Sequence, residues 1–373
     1  MRRSGQYQKM LPDVGSSFLY RCWIERAKMT DLIVSLSSCL KPLTPTRVFG
    51  TYLYFAAERQ RIFLRRLRAE PEPWTEDSIL RTYKFTNAFR AADRVSQYLI
   101  KHIIYSGSQD PKEIFFRTLL FKLFNRTETW RSLVEAVGEI SSEAYSFARY
   151  DKALTELMAE GKPIYSAAYI MPSGGTAYKR KHQMHLHLLE QMMRAELPRK
   201  LSGLSSMREV FQALRSWPTL GDFLAFQFTI DLNYGTLLDF PESEFVVAGP
   251  GARDGLRKCF SDFGGMTEEE VISLVTEAQE ECFRIASIAF PTLWGRRLQL
   301  IDCQNLFCEV GKYARVAHPD VPGTSNRVRI KQRFEAQADA LPRWYPPKWG
   351  LNSKLNEDPE CIPTGSESGH SGT

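Results

Sequence analysis

Residues 113–124, EIFFRTLLFKLF, constrain the fold of this chain more than any other stretch. Apolar side chains stand on nearly every face, which suits a helix enclosed by other elements in a core. The run is also too long for a typical strand. Elsewhere the helical period continues. ADRVSQYLIKHII (92–104) places Val95, Leu99 and Ile103 on one stripe, and MTEEEVISLVTEAQEECFRIA (266–286) places Val271, Leu274, Val275 and Ala278 on another. Thr267 and Glu270 open the latter with capping-box spacing. Period-two alternation is sparse, and EFVVAG (244–249) is the best strand candidate. The chain therefore reads as all-α with at most a minor β component, and Leu119, Leu123, Leu224 and Phe228 belong to its core.

A length of 373 residues suits one large domain or two lobes. Residues 1–45 read as a partly ordered extension and 46–340 as the helical domain. Residues 341–373 read as a largely disordered tail, rich in Pro, Ser and Gly. The net charge of +6 and pI near 8.8 lean towards anionic partners. No run approaches the roughly 18 apolar residues of a spanning helix, and MRRSGQYQKM lacks a signal-peptide core. The seven cysteines are scattered, with Cys303 and Cys308 the one close pair and no CxxC. That pattern argues against a disulfide framework, a zinc site or a four-cysteine cluster, and no cofactor is expected. Reduced thiols and the missing leader point to a cytoplasmic or nuclear protein. Oligomeric state is not legible.

The stretch RSWPTLGDFLAFQFTIDLNYG (215–235) reads as helix end, tight turn and new helix. Ser206 and Glu209 have capping-box spacing for the first helix, and Asp222 is placed to cap the second. Helix, Pro/Gly turn, helix is the outline of a helix–hairpin–helix DNA contact, in which backbone N–H groups face a phosphate. Gly221 fits the motif's second glycine, whereas Thr219 replaces the first. Any αα-hairpin shares the outline. In the second helix Gln227 and Asp231 stand four residues apart on one face. A buried carboxylate must be paired, hydrogen-bonded or protonated. Asp231 either tethers a neighbouring element or is a functional acid, with Gln227, Asn233 and Tyr234 reading a ligand.

Two further polar sets recur at helical spacing. Asn87, Arg90, Asp93, Arg94 and Gln97 crowd three turns, with Arg90 and Arg94 on one helix face, a composition that a solvated charged face would also give. Asp302, Asn305, Glu309 and Lys312 form a salt-bridge ladder or a polar strip lining a cleft. His185 and His187 would point apart on a helix, and no third metal ligand is evident.

Several segments together resemble one family, the helical domain associated with 5-hydroxymethyl-deoxyuridine DNA kinases and α-glutamyl/putrescinyl-thymine pyrophosphorylases. They are ERQRIFLRR (58–66), PWTEDSILRTYKFTNAFRAADRVSQYLI (73–100), FFRTLLFKLFNRTETW (115–130), GDFLAFQFTIDLNY (221–234), VAGPGARDGL (247–256) and CQNLFCEVGKYAR (303–315). The most specific blocks are FTN…R…DRVSQYL and AGPGA…G. This family resembles helix–hairpin–helix DNA glycosylases, which implies a two-lobed helical fold and DNA as partner, in particular a duplex bearing a modified pyrimidine. On that pattern Asn125 falls at the wedge that fills the gap left by an extruded base. Gly221, Gly249 and Gly251 then belong to the DNA contact, with Glu309 and Lys312 on the cleft strip. The pattern departs at the catalytic aspartate. Asp239, Glu242 and Glu244 follow Gly221 by about 20 residues, and Gly249 stands at the aspartate's own position. No hairpin lysine is present, since Asp222 and Phe223 follow the glycine. Asp231 is thus the preferred acid, with Gln227, Glu242 and Glu244 as further catalytic candidates.

The resemblance implies glycosylase-like excision of a flipped, 5-modified pyrimidine. One alternative is a transferase displacing pyrophosphate from an activated 5-methyl group, with Arg90 and Arg94 holding the leaving phosphates. Another is a DNA-binding module without chemistry. The sequence contains no GxxxxGK[ST], so that motif does not supply a kinase activity here.

Overall fold

The computed structural model describes residues 26–357, apart from 170, 174–177, 326 and 337–342. In chain order its helices are α1 (Arg26–Cys39), α2 (Arg47–Leu67), α3 (Ser78–Thr82), α4 (Arg94–Leu99), α5 (Pro111–Phe124) and α6 (Thr127–Val137). Then come α7 (Phe147–Ala159), α8 (Lys181–Arg194), α9 (Leu197–Ser202), α10 (Met207–Arg215) and α11 (Asp222–Asn233). Helices α12 (Pro250–Cys259), α13 (Glu268–Glu277), α14 (Gln279–Ile285) and α15 (Leu300–Ala317) complete the set. A short antiparallel ribbon pairs β1 (Thr44–Pro45) with β2 (Phe260–Asp262). The protein is mostly helical, in line with its sequence pattern. Among the described residues no helix is long and apolar enough to cross a membrane.

The enclosed helix is α5. Asp110 caps it by accepting from Lys112 N, Pro111 opens it, and every residue from Ile114 to Phe124 is buried. It ends because Asn125 adopts φ +49, a left-handed conformation that asparagine tolerates better than most residues. Helix α5 packs on α8, α9 and α11, and α11 is itself buried from Leu224 to Asn233. Leu119, Leu123, Leu224 and Phe228 all lie in the core.

A second centre forms where α12 meets α15. A Cβ added to Gly255 would stand 1.8 Å from the Phe307 carbonyl oxygen, and one on Gly311 would stand 2.9 Å from Gly255 Cα. Glycine alone lets the two backbones approach so closely. Helix α15 also packs on α2, α3, α13 and the 3₁₀ turn Arg90–Ala92.

Several local readings need correction. EFVVAG forms no strand; Phe245, Val246 and Ala248 are buried, and Ala248 N donates to Glu269 Oε1 at 2.8 Å in place of a ladder partner. Gly221, not Asp222, is the N-cap of α11, and Asp222 pairs with Arg215 across the hairpin. Thr267 and Glu270 do form their capping box. Ser206 accepts from Glu209 N, but Glu209 Oε2 turns to Ser205 N at 2.8 Å, so the second box is incomplete. Arg90 and Arg94 do not share a helical face. Arg90 belongs to the 3₁₀ turn, Asp93 is extended, and α4 starts only at Arg94.

Residues 343–357, within the expected tail, pack back on the domain. Trp344 N donates to Gln97 Oε1 at 2.7 Å, Tyr345 and Leu351 are buried, and Trp294 Nε1 donates to Glu357 O at 3.1 Å. Residues 1–25 of the expected extension and 358–373 of the expected tail lie outside the described residues.

Candidate active site

The site grows from α11. Because this helix is enclosed on all sides, its polar residues must find partners inside the protein. Asp231 and Gln227 are fully buried, one turn apart, and both face Arg90. The guanidinium Nη1 donates to Asp231 Oδ1 at 2.8 Å and to the Tyr234 hydroxyl at 3.0 Å, while Nε donates to Gln227 Oε1 at 3.0 Å. Arg90 comes from the 3₁₀ turn before α4, and α15 holds that turn in place. Its backbone N–H donates to Asp302 Oδ1 at 2.7 Å, and Asp302 Oδ2 accepts from Gln299 N at 3.0 Å.

The other side of the carboxylate faces α5. Lys122 Nζ lies 3.1 Å from Asp231 Oδ2 and donates to Asn125 Oδ1 at 2.7 Å. The approach to Oδ2 is poorly aligned for a hydrogen bond, so this contact is mainly ionic. Above the ammonium sits the Tyr169 ring, its centroid 4.4 Å from Nζ. Tyr169 in turn stacks on Phe223 of the first turn of α11, at 5.7 Å and 6°. One carboxylate thus sits between two cations, and one cation is roofed by an aromatic pair.

Burial pulls the Asp231 pKa upward, but Arg90 and Lys122 outweigh it and hold the carboxyl below its usual value. Burial pulls Arg90 down, and Asp231 more than reverses this. Lys122 ends below its ordinary value because burial exceeds the help it receives from Asp231. Asp302 is pushed up to about 6, again by burial, despite accepting from two backbone N–H groups.

Among the residues singled out from sequence, Arg90, Gln227, Asp231 and Tyr234 converge directly, and Asn125 joins them through Lys122. The rest are placed elsewhere. Arg94 is exposed at the start of α4. Asn87 accepts from Arg59 Nη2 and donates to Ala92 O at 2.9 Å each, bracing the loop before Arg90. Gln97 donates to Ala91 O at 2.7 Å and accepts from Trp344 N. Asn233 clamps Phe240 through both of that residue's backbone groups, each at 3.0 Å. Glu309 accepts from Thr86 N at 3.0 Å and from Lys312, which also donates to Lys84 O at 2.8 Å. Glu242 pairs with Arg296 at 2.8 Å, and Arg296 lies over the Trp349 ring that meets Tyr234 edge-on, whereas Glu244 is exposed. Gly221 lies exposed in the hairpin turn. Gly249 and Gly251 make room for neighbours instead: a Cβ would come within 2.8 Å of Phe223 and 2.3 Å of Cys308 Sγ. His185 is engaged by Tyr165 and Pro172, and His187 lies 3.6 Å from Glu190.

Lys122, Tyr169, Phe223 and Asp302 complete the arrangement. One signal for Lys122 was in plain view, since a lysine in a helix that is apolar all round has no solvent to reach. Tyr169 sits in a loop without periodicity and offers no such signal.

Residues 46–323 match the family described as 5-hmdU DNA kinase, helical domain. The chain belongs to this family. Every member of the buried cluster lies within the matched span, whereas residues 343–357 lie beyond it. A 5-hmdU DNA kinase of Bacillus phage SP10 is 25% identical over 299 residues, covering 73% of this chain and 46% of that relative. The chain therefore spans a little under half the length of this curated relative. No solved structure matches it.

Proposed function

We propose that this helical domain binds DNA and receives a 5-hydroxymethylated pyrimidine, turned out of the duplex, for modification at its 5-methylene. The relative's name supports the base, and the family match supports the role of the helical domain. The observation that carries the reading is the Arg90–Asp231–Lys122 cluster. Ionised groups withdrawn from water in this way cost free energy, and such clusters concentrate at functional sites. An extruded base reaches the cluster by taking the place of the Tyr169 ring over Lys122. There the ammonium and the Asn125 amide present donors to a hydroxymethyl oxygen or to an anion formed on it. Asp231 acts here as a positioning residue that fixes the directions of both cations.

Base excision is the second reading, and it rests on the place of Asp231 in the helix after the hairpin. It asks more of that carboxylate. Each oxygen already faces a cation, which leaves little free charge for an oxocarbenium-like sugar.

The test uses two duplexes that differ at one position, 5-hydroxymethyl-deoxyuridine or thymidine. The expected result is roughly 5- to 10-fold tighter binding of the hydroxymethylated duplex, the worth of about one hydrogen bond, without release of free base. Equal affinity for the two overturns the proposal. Release of free base by the wild type, abolished in a folded Asp231→Asn variant, establishes excision instead.

A further inference from the structure

Arg90 lies too deep to meet a DNA backbone, which raises the question of where the phosphates beside the modified base are held. The structure points to the segment entering α8. Lys179, Arg180 and Lys181 are consecutive cations that form no ion pair among the described residues. Cations on the neighbouring helices and at the far end of α8 are matched: Arg126 with Glu128, Lys152 with Glu156, and Arg194 with Glu190. Asp151, which reaches the start of the same helix, is occupied by His182 at 2.7 Å and Gln183 at 3.0 Å. An unmatched run of three charges at a helix N-terminus is a strongly electropositive surface.

The run is also tied physically to the site. Lys181 Nζ lies 4.4 Å from the centroid of Tyr165, Tyr165 stacks on Phe124 at 5.2 Å, and Ser166 N donates to Phe124 O at 2.9 Å. Phe124 ends the helix that carries Lys122, and Asn125 follows it directly. His185 pins the same loop from below. Its Nε2 contacts the Pro172 carbonyl at 3.0 Å and must donate, so Nδ1 accepts from the Tyr165 hydroxyl at 2.8 Å. Burial lowers the His185 pKa to about 4, which keeps the imidazole in the neutral form this arrangement needs. One loop thus roofs Lys122 with Tyr169 and ends in three unmatched cations.

We propose that Lys179, Arg180 and Lys181 are the contact surface for the DNA phosphates that flank the base held at the Lys122 side of the cluster. This rests on the DNA-binding reading above and adds to it the location of the backbone. Contacts of this kind set affinity and register, not base choice.

The experiment compares the full chain with Lys179→Ala, Arg180→Ala and Lys181→Ala, singly and combined, on the two duplexes named above. Lys181→Arg, which keeps charge and ring contact, and Lys152→Ala, at a matched cation, are controls. The combined variant should lose roughly 10-fold or more in affinity near physiological salt. Its log–log salt slope should be shallower by about 2–3, since each released phosphate contact contributes about 0.9. Both duplexes should weaken alike, leaving the preference for the hydroxymethylated base unchanged. An unchanged affinity and slope in the combined variant overturns the inference even where the wild type prefers that base. A wild type without the preference, whose slope still falls in the variant, refutes the base assignment and leaves the phosphate surface standing.

Discussion

Two helix pairs cross this core by different means. Helices α12 and α15 meet through Gly255 and Gly311, backbone against backbone, and the charged pair beside that contact, Lys258 and Asp254 at 3.5 Å, belongs to α12 alone, with Lys258 donating to the Gly311 carbonyl at 2.9 Å. Helices α5 and α11 meet through Lys122 and Asp231, with Arg90 inserted from a third element. The first contact gains dispersion and close packing, and it tolerates no added atom. The second withdraws three ionised groups from water, a cost that attraction among them only partly offsets. A fold that needed stability alone could fill the second crossing with hydrocarbon. The contrast sets α12/α15, where glycine fixes the spacing, against α5/α11, where charges from three separate elements meet.

The largest expected effect comes from breaking the charged crossing on one side. Asp231→Ala leaves two buried cations without their counter-ion and should destabilise the protein by about 3–5 kcal/mol, read from urea midpoints. Replacing the whole set with apolar residues of similar volume should cost much less, or nothing. If Asp231→Ala costs under about 1 kcal/mol, water reaches the cluster and the contrast fails. Next comes the glycine seam. Gly255→Ala drives a methyl group into the Phe307 carbonyl and should cost about 1–3 kcal/mol or more, because backbone cannot step aside as a side chain can. The same change at Gly161, which has φ +75 and open space around it, should show only the backbone strain.

A pH series sharpens the comparison further. Asp302 is pushed up to about 6 in the folded protein, above its unfolded value near 3.8. Between those two values the unfolded state has already released the proton that the folded state still holds, so stability falls as pH rises from about 4 to 6. Asp302→Asn should remove this residue's share of that decline, about 3 kcal/mol, from the urea-derived stability profile. Asp231 works in the opposite sense. Its lowered pKa contributes stability that is present above the unfolded value and is lost as pH falls through the folded one. The smallest effect belongs to Arg94. Arg94→Ala, at an exposed helix start, should change stability by less than about 0.5 kcal/mol.

These contrasts also explain how much of the molecule was legible in its sequence. The enclosed helix α5, the αα-hairpin before α11 and the Thr267 cap are local patterns, and each can be read from a few neighbouring residues. The pairing of Arg90 with Asp231 spans 141 positions, and no period connects them. Sequence spacing marked both as unusual but placed Arg90 and Arg94 on one helix face, because the extended Asp93 that separates them leaves no trace in composition. Gly249 and Gly251 show the reverse difficulty. Glycine beside a helix start is equally compatible with an approaching phosphate and with an approaching side chain, and here Phe223 and Cys308 take the space. Thr219 is a similar case. It adopts φ +69, the conformation a glycine would hold at that point of the turn, although branching at its Cβ makes this costly.

The glycine seam has a consequence for the charged crossing some distance away. Helix α15 grips the loop that delivers Arg90 at two points: Asp302 holds Arg90 N, and Glu309 holds Thr86 N. Those carboxylates are seven residues apart, about two turns or roughly 10 Å along the axis. With Gly255 and Gly311 interlocked, α15 cannot slide, and the two grips become fixed marks on a jig. The depth to which Arg90 reaches is therefore machined at α12, and a methyl group added there would be felt as a guanidinium out of true.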